Sequence, residues 1–131
     1  MQIKQQIIPK SRKTQRPGIA MIPQFITIHS TGNPSSTAQN EADYVCKNSV
    51  RQASFHFVCD EKLVIQVIPT NEIAWHAGDG GSGTGNRKSI AIEICESGNR
   101  KAAVDNAVQL TKQLMDECKI QPGNVFQHHH W

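Results

Sequence analysis

A chain of 131 residues with 14 basic and 11 acidic side chains and a formal net charge of +3 fits one domain, long enough to close a core without disulfide staples. Its basic residues are scattered rather than gathered into a stripe, which argues against nucleic acid as a partner, and no apolar run is long enough to span a bilayer. The four cysteines Cys46, Cys59, Cys95 and Cys118 lie in separate segments with no C-x-x-C pair, a pattern of buried free thiols that leaves a single bridge open.

Residues 2–8 read as an edge strand. Met1 to Pro9 lacks the continuous apolar core of a signal peptide, so synthesis in a cytoplasm is expected, with any action outside the cell depending on release by another agent. A polar, basic connector from Lys10 to Pro17 ends in the turn pair Pro17-Gly18. Phe25-Ile26-Thr27-Ile28 is apolar and β-branched, the pattern of a packed strand, and it delivers His29 to the point where Ser30-Thr31-Gly32-Asn33-Pro34 turns to loop chemistry. Sites are commonly assembled at such a boundary. A single histidine there is also compatible with a hydrogen-bonded structural role.

Ser36-Thr37-Ala38-Gln39 offers an S-x-x-Q capping box, and Ala42, Val45, Cys46, Ser49, Val50 and Ala53 follow at helical spacing, so a helix is expected from about residue 37 to 52. Residues 54–59 and 62–68 read as a hairpin about Asp60-Glu61, and residues 70–76 as one helical turn. Five glycines then fall between Gly78 and Gly85. The run Gly78-Asp79-Gly80-Gly81-Ser82-Gly83 matches G-x-G-x-x-G, but dinucleotide binding needs a strand before it and a helix after it. Here a strand is expected to follow, so the loop reads as a surface loop or the rim of a cleft.

That strand, residues 89–95, alternates Ile90, Ile92 and Ile94 with Ala91, Glu93 and Cys95, which puts the two sets on opposite faces. A long helix over residues 102–118 presents Val104, Ala107, Val108, Thr111, Met115 and Cys118 as an apolar stripe, and residues 124–128 form a last short strand. The expected fold class is α/β, one domain with a mixed central sheet packed by helices. Glu93 is either a solvated or paired carboxylate, or a partly buried one whose raised pKa suits general base work. His56 is either a core histidine or a cleft residue, and His76, beside Trp75, either supports a ligand or caps a turn. The ending Gln127-His128-His129-His130-Trp131 is read as native sequence, because a purification tag rarely places tryptophan after three histidines.

Phe25-Ile26-Thr27-Ile28-His29-Ser30-Thr31, Ser54-Phe55-His56-Phe57, Ala74-Trp75-His76-Ala77-Gly78-Asp79-Gly80, Gly85-Asn86, Ser89 to Cys95 and Gln127-His128-x-x-Trp131 occur in this order. Together they resemble the zinc-dependent N-acetylmuramoyl-L-alanine amidases of phage endolysins and bacterial autolysins, relatives of the peptidoglycan recognition proteins. The resemblance implies His29 and His128 as zinc ligands and Glu93 as the catalytic carboxylate, and His56, Trp75 and His76 are expected to bind substrate in the cleft beside them. Where distant members carry a catalytic tyrosine before the hairpin histidine, this chain has Phe55, so more rests on Glu93.

The family continues after His-x-x-Trp with Ser-Gly-Lys-x-Cys-Pro, which supplies a third ligand and a lysine. Residues 1–131 are therefore expected to be a catalytic domain truncated at its carboxyl end, impaired as an amidase and without a cell-wall-binding domain. His130, on the same face as His128 in an extended segment, is a candidate substitute for the missing ligand. The implied substrate is peptidoglycan, cleaved between N-acetylmuramic acid and L-alanine by a monomer acting on the cell wall. The alternatives are a non-catalytic muropeptide-binding module on the same fold and a histidine-rich metal buffer.

Overall fold

The computed structural model describes residues 1–131. Six strands form one sheet: β1 (Ile3–Gln5), β2 (Phe25–Ser30), β3 (Phe57–Cys59), β4 (Val64–Gln66), β5 (Ser89–Ile94) and β6 (Val125–Gln127). Their order is β1-β4-β3-β5-β2-β6, parallel throughout except for the β3–β4 hairpin. With α1 (Ala38–Asp43), α2 (Thr84–Lys88) and α3 (Arg100–Cys118), this is the mixed α/β architecture expected from the sequence.

Parallel strands in the middle of a sheet are covered on both faces, and two apolar cores do so here. Ile90, Ile92 and Ile94 join Ile26, Phe57, Leu110 and Leu114 beneath α3. Ala91 and Cys95 join Ala38, Ala42, Val58 and Ile65 on the α1 side. The predicted alternation of β5 therefore holds, and it turns Glu93 towards α1. Strands β2 and β5 pair in register, with His29 opposite Glu93, and facing residues of a parallel pair project to the same side.

Several local expectations are corrected. On α3 the fully buried residues are Ala103, Ala107, Leu110 and Leu114, so Leu110 and Leu114 form the middle of its apolar face, with Ala107 of the predicted stripe buried and Val104, Met115 and Cys118 packed partly buried against the same core. Val108 is 45% exposed, because Leu110 and Leu114 offer more apolar surface to the sheet than Val108 and Thr111. The first helix is capped by Thr37 with Asn40, one residue later than predicted, and passes into a π-helix over Tyr44–Asn48. It stops short of residue 52 because the basic connector straps its end: Arg12 donates to the carbonyls of Val45, Lys47 and Ser49, and Gln15 to those of Ser49 and Arg51. Residues 70–76 form no helical turn; Ala20 bridges Glu72 instead. A short helix, α2, separates the glycine loop from β5, while no strand leads into the loop.

The strap is locked by Arg16, whose Nε and Nη2 each donate to the Glu72 carboxylate at 2.7 Å while Nη1 donates to Ile8 O at 2.8 Å. The Arg16 hydrogen bond holds the Glu72 carboxyl below its ordinary value of 4.5, outweighing partial burial, which acts in the opposite sense. A carboxyl depressed in the folded state stabilises the fold above its unfolded pKa, and that contribution is lost as pH falls through the folded value. Glu72→Gln is therefore expected to lower stability at neutral pH and to flatten the acid side of the melting temperature against pH. Parallel acid limbs for variant and wild type would show that the pair contributes no pH dependence.

Candidate active site

His29 is buried at the end of β2, and its Nδ1 lies 2.9 Å from Nδ1 of His128, 99 residues away in the chain. His128 arrives there because β6 adds to β2 in parallel, with Ile26 opposite Val125 and Ile28 opposite Gln127. The chain then turns sharply through a 3-10 turn over His128–His130. Trp131 fastens this turn: its backbone N–H donates to His128 O at 3.1 Å and its indole Nε1–H to Thr27 Oγ1 at 2.8 Å. The indole packs edge-on against Phe25 and Phe126. It also sits over Gly85, where a Cβ would meet the indole Cγ at 2.7 Å, so only glycine admits this docking.

Glu93 stands one strand away on the same face, and its Oε2 is buried without a hydrogen-bond partner. Burial pushes its carboxyl up to about 8, with repulsion from Glu41 adding to the effect. Burial likewise brings His29 down to about 4, with His128 as the second cause, so the imidazole is neutral at ordinary pH. His29, His128 and Glu93 line one cleft of about 310 Å³, within the size range of small-ligand sites. Glu41, Tyr44 and Arg51 form part of its wall, and Trp75 and His76 also line it. Trp75, His76 and His128 also border a second trough reaching Gly78, Gly80 and Gly81, so the glycine loop does form a rim. Asp79 orders that loop by accepting the N–H groups of Gly85 and Asn86.

Two histidines expected to bind substrate are otherwise engaged. His56 is fully buried: Nδ1 accepts the Ala91 N–H at 2.9 Å and Nε2 donates to Glu72 O at 2.8 Å. It is a core residue that ties β5 to Glu72, the residue gripped by Arg16 of the strap, and it lines neither trough. His76 does line the cleft, but its Nδ1 faces His29 Nε2 at 3.0 Å and its Nε2 faces Ser89 O at 3.2 Å, leaving only its ring surface for a ligand. Burial keeps its pKa well below the ordinary histidine value. His130 stacks on Phe126 with centroids 3.7 Å apart and planes 1° from parallel, because the segment is a turn rather than extended. No group of three histidine, cysteine, aspartate or glutamate side chains gathers to hold a metal.

Sequence reasoning passed over Glu41, Tyr44 and Arg51, which belong to no periodic pattern: Glu41 comes from α1, Tyr44 from the π-helix that follows it, and Arg51 from the strapped segment beyond. It also passed over the role of Asn86, although the Gly85-Asn86 pair pointed to it. The Asn86 Oδ1 accepts the N–H groups of both His76 and Ala77 at 2.9 Å, and its Nδ2 donates to Gly80 O.

A family model described as N-acetylmuramoyl-L-alanine amidase matches residues 19–131. The chain belongs to this amidase family. It is 44% identical over 133 residues to the N-acetylmuramoyl-L-alanine amidase CwlH of Bacillus subtilis (strain 168), covering 98% of this chain and 52% of that protein. It is 46% identical over 120 residues to XlyA of the same organism, covering 88% of this chain and 40% of that one. The chain thus spans about half the length of the curated relatives it matches. The catalytic domain of XlyA superposes with a TM-score of 0.94 at 44% identity, covering 100% of this chain and 86% of that domain. PlyL superposes at 0.92 with 39% identity, covering 100% and 83%. The amidase match takes in β2, β5 and β6, the strands that carry His29, Glu93 and His128, and begins after the strap residues Arg12, Gln15 and Arg16.

Proposed function

We propose that this chain hydrolyses the amide between the lactyl group of N-acetylmuramic acid and the L-alanine of the peptidoglycan stem, with Zn²⁺ as cofactor and Glu93 as general base. The observation that carries this reading is the meeting of the His29 and His128 Nδ1 atoms at 2.9 Å in one cleft with a buried carboxylate oxygen that has no partner. Two imidazole nitrogens directed at each other are donors that suit zinc. His29 and His128 would hold the ion, as two of the three protein ligands that a catalytic zinc ordinarily takes. Bound there, zinc supplies a Lewis acid that polarises the scissile carbonyl and acidifies the attacking water.

The chain's own residues do the rest. Glu93 in its ionised form takes a proton from the attacking water and returns it to the amide nitrogen as the C–N bond breaks, leaving a lactyl carboxylate and the free amine of L-alanine. Trp75 offers an indole face at the junction of the two troughs, against which a sugar or peptide group packs. Gly78, Gly80 and Gly81 add no side chain to one rim of the second trough, which leaves room there for glycan. Arg51 and Glu41 place both signs of charge on the wall of the first, where a charged stem peptide finds partners.

Purified peptidoglycan incubated with the chain and Zn²⁺ is expected to gain free L-alanine amino termini, and removal of the ion by a chelator to stop their release. Sedimentation with cell walls but no new amino termini, with zinc present, would instead establish the non-catalytic binding module.

A further inference from the structure

The hydrogen bonds around His76 have a direction that can be worked out from the partners alone. Ser89 O is a carbonyl and only accepts, so the His76 Nε2 facing it at 3.2 Å carries that ring's single proton. His76 Nδ1 is then a bare lone pair. The His29 Nε2 that faces it at 3.0 Å must donate, which leaves His29 Nδ1 without a proton. That nitrogen is the one facing His128.

We infer that His76 is a positioning residue, which relays the direction of the Ser89 carbonyl to His29 and fixes the tautomer that presents a bare Nδ1 to His128. The inference rests on the reading of His29 and His128 as the cation-holding pair, and gives His76 a role distinct from substrate contact. Histidines that hold metals usually donate their other ring N–H to a protein acceptor, which sets ring orientation and tautomer. Here the acceptor is a second imidazole rather than a carboxylate. Three further features keep the relay rigid. His76 and Ala77 are fixed by two N–H donations to Asn86 Oδ1. The His29 and His76 rings meet edge to face, with centroids 5.1 Å apart and planes at 88°. Ser89 opens β5, the strand that carries Glu93, so one strand aims the base and, through His76, the imidazole paired with it.

Two measurements test the relay. In metal-free ¹⁵N-labelled protein, long-range ¹H–¹⁵N spectra are expected to show a proton protected from exchange on His29 Nε2 and none on Nδ1. A His29 ring protonated at Nδ1 overturns the inference. The second measurement titrates Zn²⁺ alone into wild type, His76→Phe and His76→Gln. Phenylalanine keeps the volume but removes the acceptor, and is expected to weaken zinc binding about 10–100-fold. Glutamine offers an oxygen to His29 and an N–H to Ser89, so it is expected to recover most of the loss, which a purely packing role for the ring would not produce.

Wild-type affinity in the phenylalanine variant, or a folded glutamine variant as weak as phenylalanine, overturns the relay. If the phenylalanine variant does not fold, the ring-proton assignment and the glutamine variant's affinity against wild type remain decisive. A wild-type chain that binds no zinc removes the proposed cofactor, while the ring-proton result still decides the relay on its own.

Discussion

Replacing Glu93 with glutamine is expected to lower amide hydrolysis by about 10²–10⁴-fold, the usual range for loss of a positioned acid–base group, without unfolding the protein. Glutamine keeps the shape of the side chain but cannot carry a proton from water to the leaving nitrogen. The companion variant Glu93→Leu is expected to be equally inactive and yet more stable. Glu93 Oε2 is buried with no partner, and an unpaired buried acceptor costs about 1–3 kcal/mol, which an apolar side chain of similar volume relieves. A rise of a few degrees in melting temperature for the leucine variant, with no release of L-alanine amino termini by either variant, is the expected pair of results. Release at the wild-type rate from Glu93→Gln would remove Glu93 as the base, and a leucine variant that melts below wild type would show that the carboxyl stabilises the fold.

Trp131→Ala is expected to act on stability and site together. The indole contributes the hydrogen bond to Thr27 Oγ1 and edge contacts to Phe25 and Phe126. Its loss is expected to cost about 2–4 kcal/mol, below the top of the range for core aromatics because the ring stays partly exposed. The same ring holds the turn that carries His128, so zinc affinity should fall in parallel. Trp131→Phe keeps the packing and loses only the donor, and a smaller fall in both quantities is expected, of about 0.5–1.5 kcal/mol in stability. Denaturant midpoints with zinc titration check both variants. Unchanged zinc affinity in Trp131→Ala would show that β6 alone positions His128.

The parts of this site that were legible in the sequence are those carried by strands. An apolar run ending at His29 puts that residue at a strand end, and alternation sets Glu93 on the face opposite Ile92 and Ile94; that the two share a face follows from the in-register pairing of β2 with β5. What could not be read locally is set by long-range bonds from side chains to backbone. Arg12 and Gln15 end the first helix by taking its carbonyls, although nothing in their own segment says so. His56 and His76 look alike as histidines beside aromatic residues, yet one is sealed in the core by Ala91 and Glu72 and the other lines the cleft. His130 was misplaced because a strand was extended through a segment that turns after Gln127. The stripe of α3 was drawn without Leu110 and Leu114, the two largest side chains that it buries.

The strand that brings His128 into place is β6, three residues long, at the edge of the sheet and paired only with β2. Short edge segments open with far less free energy than the strands beneath them. Peeling β6 away separates the two imidazoles while β2, β5 and both apolar cores stay intact. The protein is therefore expected to show two thresholds on warming: a lower one at which the His29–His128 pairing is lost reversibly, and a higher one at which the globule melts.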